Sequence, residues 1–457
     1  MRLPAPGHLI YTAAMRRDPP DPIASDSLHE AARIEGEAQP IDEGAEAAEP
    51  RNFLVLTAYQ AILRTGWIFK TESIIMPAVL DTLAGAAWVR GWLPLLNRLG
   101  QSVVPVFTAR RLKLIPKKKW SLTTSTAAMA VLLVAMAFLC GREDIASKRW
   151  AAPAYLLVYA LFFAFLGSNQ LAIGALQGKL IRATRRGRLL LVSNVLGGTT
   201  AVLCALGLLS FWLHERSGEF GKIFGFSAAL FAVAAVSAWF LDERADAFHE
   251  PRSNPWRLAA GIWRTLRGDA NLRRLAIVTS LFGTSIVLVP HYQNVGLADL
   301  DMGMKSLMWW VVVQNVGTAL FSIPAGPMAD RFGNRVVMQC NMLGIAAAPL
   351  VAVVLMHVGS NGRHLFHVVF ALLGLMPVAM RTFNNYVLEI STPEHHVHYL
   401  SILGLCMAGP AFLSPLAGLM IDTAGVTSVF VTVALLILVG WLLSFGLVEP
   451  RRHRFSR

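Results

Sequence analysis

The sequence predicts an all-α polytopic membrane protein whose twelve transmembrane helices form two pseudo-symmetric six-helix bundles. Of its 457 residues, 55% are hydrophobic and 15% are charged, and the mean hydropathy is +0.51. Soluble domains carry about 25% charged residues, so this chain has too few charges to cover a water-facing surface. Apolar runs of the length that crosses a bilayer, roughly 20 residues, recur along the chain between short loops.

The apolar runs are predicted to be helices, because a backbone in lipid must satisfy its hydrogen bonds within its own segment. A transmembrane barrel would instead show alternating strands of about 10 residues, and these runs do not alternate. The predicted spans are 53–83, 88–107, 120–140, 153–176, 189–213, 223–241, 275–297, 307–328, 335–358, 364–388, 398–420 and 427–447.

Lysine and arginine are distributed unequally between alternate loops, which predicts the orientation in the membrane. One set holds 24 of these bases, in 108–119, 177–188, 241–274, 329–335, 389–397 and 448–457. The other set holds 8, in 84–91, 141–151, 214–222, 298–306, 359–363 and 421–426. Basic loops stay in the cytoplasm, so we expect an inner-membrane protein with both termini cytoplasmic. The net charge of +13 then reflects topology and does not predict a nucleic-acid partner.

The longest internal connection lies midway and divides the chain into halves. We predict a disordered cytoplasmic tail, a first six-helix bundle, a cytoplasmic linker, a second six-helix bundle and a basic cytoplasmic tail, at 1–51, 52–241, 242–274, 275–448 and 449–457. Apolar residues recur near helical spacing in the linker, at Trp256, Ile262, Trp263 and Leu266. This pattern favours an amphipathic helix on the inner leaflet; an ordinary charged linker is the alternative.

No cofactor, metal site or enzymatic activity is expected. The four cysteines lie singly in or beside apolar runs, which supports neither a disulfide framework nor a zinc site. His395, His396 and His398 share a short loop without an acid-rich shell, so they are expected to bind no metal. The sequence also contains neither a nucleotide-binding P-loop nor the H-E-x-x-H and G-x-S-x-G motifs of hydrolytic enzymes.

The stretch from Gly326 to Arg335, Gly-Pro-Met-Ala-Asp-Arg-Phe-Gly-Asn-Arg, follows the eighth predicted span. It resembles the G-x-x-x-D-R-x-G-R-R loop of the major facilitator superfamily, which recurs after helices two and eight. The resemblance implies two parallel six-helix halves with a site at midplane between them. We expect Gly326, Asp330, Arg331, Gly333 and Arg335 to form a conformational latch. The glycines would allow close approach and a tight turn, and Asp330 would accept from a helix start.

The corresponding stretch of the first half, 105–119, keeps the basic residues but has Ala109 where the family has an acid. We therefore expect a first-half latch that is weaker or built differently.

Helix ten carries the clearest candidate binding face. Arg381, Asn384 and Asn385 are spaced i, i+3 and i+4 and so share one side of a helix. A guanidinium with two amides suits a carboxylate, a phosphate or a hydroxyl-rich ligand. The alternative is that Arg381 binds loop carbonyls.

Two further groups of polar residues are candidates for substrate contact. His291, Tyr292 and Gln293 follow Pro290 near the end of helix seven, where a bend would let them meet a ligand. A solvated helix end is the alternative for His291. Asn169 in helix four is a candidate in the central helices, and interhelical hydrogen bonding is the alternative for Asn169, Gln170, Gln314 and Asn315.

Glu72 is the candidate for proton coupling, since it is the only acid well inside a predicted span. In a continuous helix, side chains two positions apart point about 200° apart around the axis. Lys70 and Glu72 are therefore not expected to share a face. Arg98 of helix two is the available partner for Glu72. If they pair, Glu72 is structural; if Glu72 is free, it can carry a proton.

Together these features predict a secondary active transporter that moves a small polar or anionic solute by alternating access, with possible proton coupling. The expected partners are that solute and the lipid bilayer, and we expect a monomer. A non-transporting sensor or assembly factor on the same fold is the main alternative, and a membrane-embedded enzyme is a lesser one.

Overall fold

The computed structural model describes residues 43–245, 263–391 and 396–449. The chain divides into two compact units, 1–50 and 51–457. The described part of the first unit, 43–50, is the start of a helix, and all that follows concerns the second unit. Most of the predicted tail 1–51 and the final residues 450–457 lie outside the described part.

Helices form nearly all regular structure in the described residues, beside one isolated bridge between Leu213 and Gly218. The twelve helical stretches are α1 (Glu43–Ile68 and Ile75–Leu83), α2 (Trp92–Arg98, Leu99–Val103 and Val104–Leu114), α3 (Lys118–Gly141), α4 (Ala151–Leu180), α5 (Thr184–Trp212), α6 (Phe220–Trp239), α7 (Ala270–Asp299), α8 (Ser306–Phe332), α9 (Asn334–Met356), α10 (Ser360–Ile390), α11 (His398–Ala424) and α12 (Val426–Ser444).

The prediction of an all-α membrane fold is confirmed. In the described residues ten helices, α3 to α12, are long and apolar enough to cross a membrane. Stretches α1 and α2 occupy the places of the first two predicted spans but are interrupted. Stretch α1 is broken between Ile68 and Ile75, and α2 contains a π-helical segment at Leu99–Val103. These two interrupted stretches carry the charges Lys70, Glu72 and Arg98.

The two halves repeat the same packing. In the first half α3 packs against α4 and α6, and in the second half α9 packs against α10 and α12. The contact of α3 with α6 is close because two glycines meet there: a Cβ on Gly221 would lie 2.6 Å from the Cα of Gly141. This correspondence of third with ninth and sixth with twelfth helix is what two equivalent six-helix bundles require.

On one side of the molecule the two halves are in close backbone contact. We call the side of loops 108–119, 177–188 and 329–335 the basic face, and the side of loops 84–91 and 421–426 the opposite face. On the opposite face the Asp422 carboxylate accepts hydrogen bonds from the backbone N–H groups of Ala87 and Trp88, each 2.9 Å long. A Cβ on Gly418 would lie 2.4 Å from the Ala87 carbonyl oxygen. Backbone contacts between the halves therefore close the opposite face.

The described part of the linker includes a short helix at 263–268. The guanidinium of Arg267 stacks 4.7 Å from the ring centre of Trp263, which is exposed. Trp256 and Ile262, on which the predicted amphipathic helix also depends, lie outside the described residues. The amphipathic helix therefore stays a prediction.

Candidate functional site

A cavity of about 460 Å³ lies between the two halves near the middle of the helices. This volume is in the range of small-molecule sites. Trp67, Met376 and Met380 provide apolar surface. The polar lining comes from both halves: Thr71, Glu72, Ser73, Asn97, Arg98 and Gln101 from the first, and Gln314, Asn315 and Thr318 from the second.

The break in α1 brings Lys70 and Glu72 together. Lys70 is fully buried, and its Nζ lies 3.1 Å from the centre of the Trp67 ring and 3.2 Å from Oε1 of Glu72. The prediction that these two residues cannot share a face is wrong, because it assumed a continuous helix. The helix ends at Ile68, and the turns that follow direct both side chains to the same side.

Glu72 begins a chain of polar contacts along the first-half wall. Its Oε2 accepts from the amide of Asn97, and Oδ1 of Asn97 accepts from the amide of Gln101. The amide of Gln170 donates to Oε1 of Gln101 over 3.4 Å. In this structure the carboxylate of Glu72 is therefore bound by Lys70 and Asn97, and no ion pair with Arg98 forms within 4.0 Å.

Arg98 lines the same wall and is partly buried. Among the described residues it has no hydrogen bond and no ion pair; Glu72 and Tyr159 interact with its charge only from farther away. Its guanidinium is thus presented to the cavity. From the sequence, Arg98 is expected only to be a partner for Glu72.

The second-half wall is built by α8. Oγ of Ser73 donates a 2.7 Å hydrogen bond to Oε1 of Gln314, which joins the two halves across the cavity. Thr318 donates to the Gln314 carbonyl, 3.0 Å away, in its own helix. Gly374 lets α10 approach here, since a Cβ on it would lie 2.6 Å from the Thr318 nitrogen. Gln314 and Asn315 therefore line the cavity, and Gln314 also makes an interhelical hydrogen bond, as its alternative interpretation expects.

The candidate face of α10 lies beside the cavity. Arg381, Asn384 and Asn385 are all exposed, while Phe383 and Tyr386 on the other side of the helix are buried. The one-sided arrangement is as predicted, but the three residues are not in the cavity lining, which on α10 ends at Met380. No hydrogen bond to a loop carbonyl is formed by Arg381 within the described residues.

The helix-seven candidates do not reach the cavity in this conformation. His291 is 1% exposed, so it is not a solvated helix end. Tyr292 packs edge-on against Phe430 with 4.9 Å between ring centres. The Gln293 amide donates to Oδ2 of Asp81 over 2.6 Å, on the closed side of the molecule. Only the preceding residues of α7, including Pro290, line the cavity.

The side chain of Asn169 is buried and hydrogen-bonded in the core of the first half. Its amide donates to Thr126 at 2.8 Å and to Ser125 and Tyr59 at 3.0 Å. These side chains come from α1, α3 and α4 and are buried. Asn169 therefore makes interhelical hydrogen bonds, which was the alternative to substrate contact, and it does not line the cavity.

The loop between α8 and α9 depends on Gly333. This residue has φ of +89°, a conformation that favours glycine, and a Cβ on it would lie 2.5 Å from Oε1 of Glu449. Arg335 donates to the Leu447 carbonyl over 2.6 Å, and its Nε lies 3.7 Å from Glu449. The loop is thus fastened to the chain that leaves α12.

The other members of the predicted latch lie at the end of α8. Asp330 lies in the last turn of α8, and the guanidinium of Arg331 lies 5.3 Å from the centre of the Phe332 ring. No atom of the described residues outside its own helix backbone and chain neighbours lies within 4 Å of a Cβ built on Gly326. The expectation that Gly326 permits close helix approach is therefore wrong for this conformation.

The first half fastens its equivalent loop differently. Glu243, after α6, accepts from the backbone N–H groups of Lys118 and Lys119, at 3.0 and 2.7 Å, and from Nζ of Lys179 at 2.9 Å. Glu243 thus binds the start of α3 through hydrogen bonds, whereas Glu449 forms an ion pair with Arg335 at the start of α9. Neither acid is among the residues predicted from the sequence; their equivalent positions, just after the sixth and twelfth helices, were the available signal. The side chain of Ala109 is outside the described set.

Comparison with known proteins agrees with this architecture. Residues 293–457 match the sequence model of the Major Facilitator Superfamily. No curated protein matches the chain's sequence. A mutant of the nucleoside transporter NupG is similar in structure, with a TM-score of 0.69 and 14% identity over 87% of this chain and 100% of that chain.

Two other solved structures are also similar. A D-xylose-proton symporter has a TM-score of 0.64 and 13% identity, over 87% of this chain and 98% of that one. A mutant of the E. coli fucose:proton symporter FucP has a TM-score of 0.54 and 13% identity, over 88% and 100%. At these identities the likeness establishes the fold. The chain is therefore a multi-pass membrane protein with the fold of these transporters, and its match to the Major Facilitator Superfamily model covers residues 293–457.

Proposed function

We propose that this protein is a secondary active transporter that moves a small polar solute by alternating access. The observation that carries the proposal is the position of the cavity, whose polar walls belong to both halves. A solute bound there touches both bundles, so movement of one bundle against the other transfers it from one face to the other. The solved transporters with the same fold support this proposal.

The described conformation is one end of such a cycle. The Asp422 hydrogen bonds and the close approach at Gly418 hold the halves together on the opposite face. With the orientation expected from the basic loops, that face is the outer one, and this is an inward-facing state. Arg381, Asn384 and Asn385 lie beyond Met380 along α10, and we assign them the first contact with solute on its way to the cavity.

We assign proton coupling to Glu72 because it lines the cavity. Its carboxylate bridges Lys70, behind the wall, and Asn97, in the wall. Protonation of Glu72 would remove the partner of the buried Lys70, and this change reaches the cavity through Asn97. Protonation of Glu72 driven by a proton gradient would thereby change the solute site. The latch residues Asp330, Arg331, Gly333 and Arg335 are assigned to the basic face, where they fasten α8 and α9 during the rocking movement.

Distance measurements between spin labels test alternating access without knowledge of the solute. One pair reports the opposite face, with labels at the exposed residues Arg216 and Lys305; a second pair reports the basic face, with labels at Gly187 and Phe332. A transporter should show two populations at each face, with a short distance at one face accompanied by a long distance at the other. A single fixed distance at both faces would contradict the proposal.

A further inference from the structure

We propose that Arg98 is a binding site for an anionic group of the transported solute, a carboxylate or a phosphate. The inference rests on the proposed function, because it takes the cavity to be the solute site. It goes beyond that function by assigning the charge class of the solute and the residue that recognises it.

The charges around the cavity do not cancel. Lys70 and Glu72 form an ion pair of 3.2 Å, and the second oxygen of Glu72 is bound by Asn97. Arg98 is left without a hydrogen bond or an ion pair in the part of the chain that the structure describes. A guanidinium stays protonated in proteins, so the cavity carries one uncompensated positive charge. An ion removed from water is costly unless it is paired, and an anionic solute supplies the missing partner.

The backbone that carries Arg98 is held in place. Arg98 immediately precedes the π-helical segment Leu99–Val103, and such segments occur frequently at functional sites. A Cβ on Gly100 would lie 2.5 Å from the backbone of Phe163, and one on Gly167 would lie 2.6 Å from the Gly100 carbonyl. Because α2 and α4 are in backbone contact here, the backbone that carries Arg98 is fixed before solute binds. Preorganisation of this kind lowers the cost of binding.

The rest of the cavity defines the remainder of the solute. Gln101 stands one turn from Arg98 on the same wall, and Gln314, Asn315 and Thr318 stand on the facing wall. Amides and hydroxyls offer both donors and acceptors, which suit hydroxyl or amide groups. The geometry therefore favours a small hydroxylated or amide-bearing anion over a cation, for which no uncompensated carboxylate is present among the described lining residues.

The charge of the cavity can be measured with a cysteine in place of Thr318. The background has Cys140, Cys204, Cys340 and Cys406 replaced by serine. Purified protein in detergent is modified at constant ionic strength with two thiol reagents, one carrying a sulfonate and the other a quaternary ammonium. Ser217→Cys, in an exposed loop on the opposite face, provides the reference ratio of the two rates.

The ratio of anionic to cationic modification should be about tenfold higher at the Thr318 position than at the Ser217 position, as expected for one nearby unit charge. Arg98→Gln should remove this excess, and Arg98→Lys should retain it. Arg142→Gln, which removes an exposed arginine paired with Asp144, is the matched control and should change nothing. If Arg98→Gln does not fold, Glu72→Gln is used, which should raise the ratio further. An unaltered ratio in the folded variant would overturn the proposal.

Binding is tested on the same cysteine with inorganic phosphate, gluconate and glutamate at millimolar concentration, and with neutral glucose as the matched probe. At least one anion should slow modification more than glucose does, and this protection should disappear in Arg98→Gln. Protection by none of the anions would overturn the site. These measurements need no transport. A positive result together with fixed spin-label distances would reject the transport proposal and keep the anion site.

Discussion

Removing the carboxylate of Asp422 should shift the protein towards the state that is open on the opposite face. Asp422 on α11 accepts two hydrogen bonds from the first-half backbone, from Ala87 and Trp88. These donors begin the short helix Ala87–Arg90, whose N-terminal N–H groups have no partner within the helix. Asp422→Ala deletes both hydrogen bonds and leaves the neighbouring backbone contact at Gly418 in place.

The magnitude follows from the kind of bond that is lost. A hydrogen bond to a charged group contributes about 1.5–3 kcal/mol where it is buried. Asp422 is exposed, so water replaces much of each bond and the pair together contributes about 1–2 kcal/mol. Only the state closed on the opposite face has these bonds. Their loss should therefore raise the population of the other state by roughly 5- to 30-fold.

The assay is modification of Thr318→Cys by an impermeant thiol reagent applied to the opposite face of oriented vesicles. Asp422→Ala should raise this rate by the same factor as the population. Thr423→Ala is the matched control, because the Thr423 hydroxyl donates only within its own helix, at 2.9 Å to the Leu419 carbonyl and 3.5 Å to the Met420 carbonyl. An unchanged rate in Asp422→Ala would refute the assignment of this contact as the closure.

Four further predictions concern single sites. Glu243→Gln should lower the free energy of unfolding by about 1–3 kcal/mol, because it removes the charged partner of Lys179, which is partly exposed and keeps its hydrogen bond to the Arg244 carbonyl; Glu219→Gln, which breaks the exposed pair with Lys222, should cost less than about 1 kcal/mol in the same denaturation assay. Gly333→Ala should destabilise more than Gly425→Ala, since both have positive φ but only Gly333 has a neighbour in the way. Glu72→Gln should still exchange solute between vesicle compartments but lose its response to a pH gradient; a retained response would remove Glu72 from coupling. Arg381→Lys should weaken solute affinity several-fold at normal expression, because the planar fork is lost; intact affinity in Arg381→Ala would make this residue structural.

The sequence was sufficient for the fold because membrane spans depend on composition over roughly 20 residues, which any single residue barely changes. The span that was predicted as one helix, 53–83, is the instructive exception. Its interior charges signalled a special place, and they lie at a break between Ile68 and Ile75. Helical periodicity then gave the wrong relation of Lys70 to Glu72, because periodicity applies only while the helix continues.

The candidate site was harder to predict because it depends on which helix faces meet. The compact cluster of Arg381, Asn384 and Asn385 favours helix ten as the binding face, yet α8 contributes more polar lining to the cavity. Gln314 and Asn315 resemble ordinary interhelical residues until the opposing wall is known. Arg98 was assigned to Glu72, which is already bound by two nearer groups. Each of these roles depends on residues that are distant in sequence and meet only in the folded structure.

The most direct test of the account is the accessibility of one cavity residue from both faces of the membrane. Thr318→Cys, in the cysteine-free background, is exposed to an impermeant thiol reagent in right-side-out and in inside-out vesicles. An alternating cavity should be modified from each face, and faster from the basic face because the described state is closed on the other. Ser217→Cys should react from the opposite face alone. If the Thr318 position also reacts from one face alone, under all conditions, the cavity does not alternate and the protein is not a transporter.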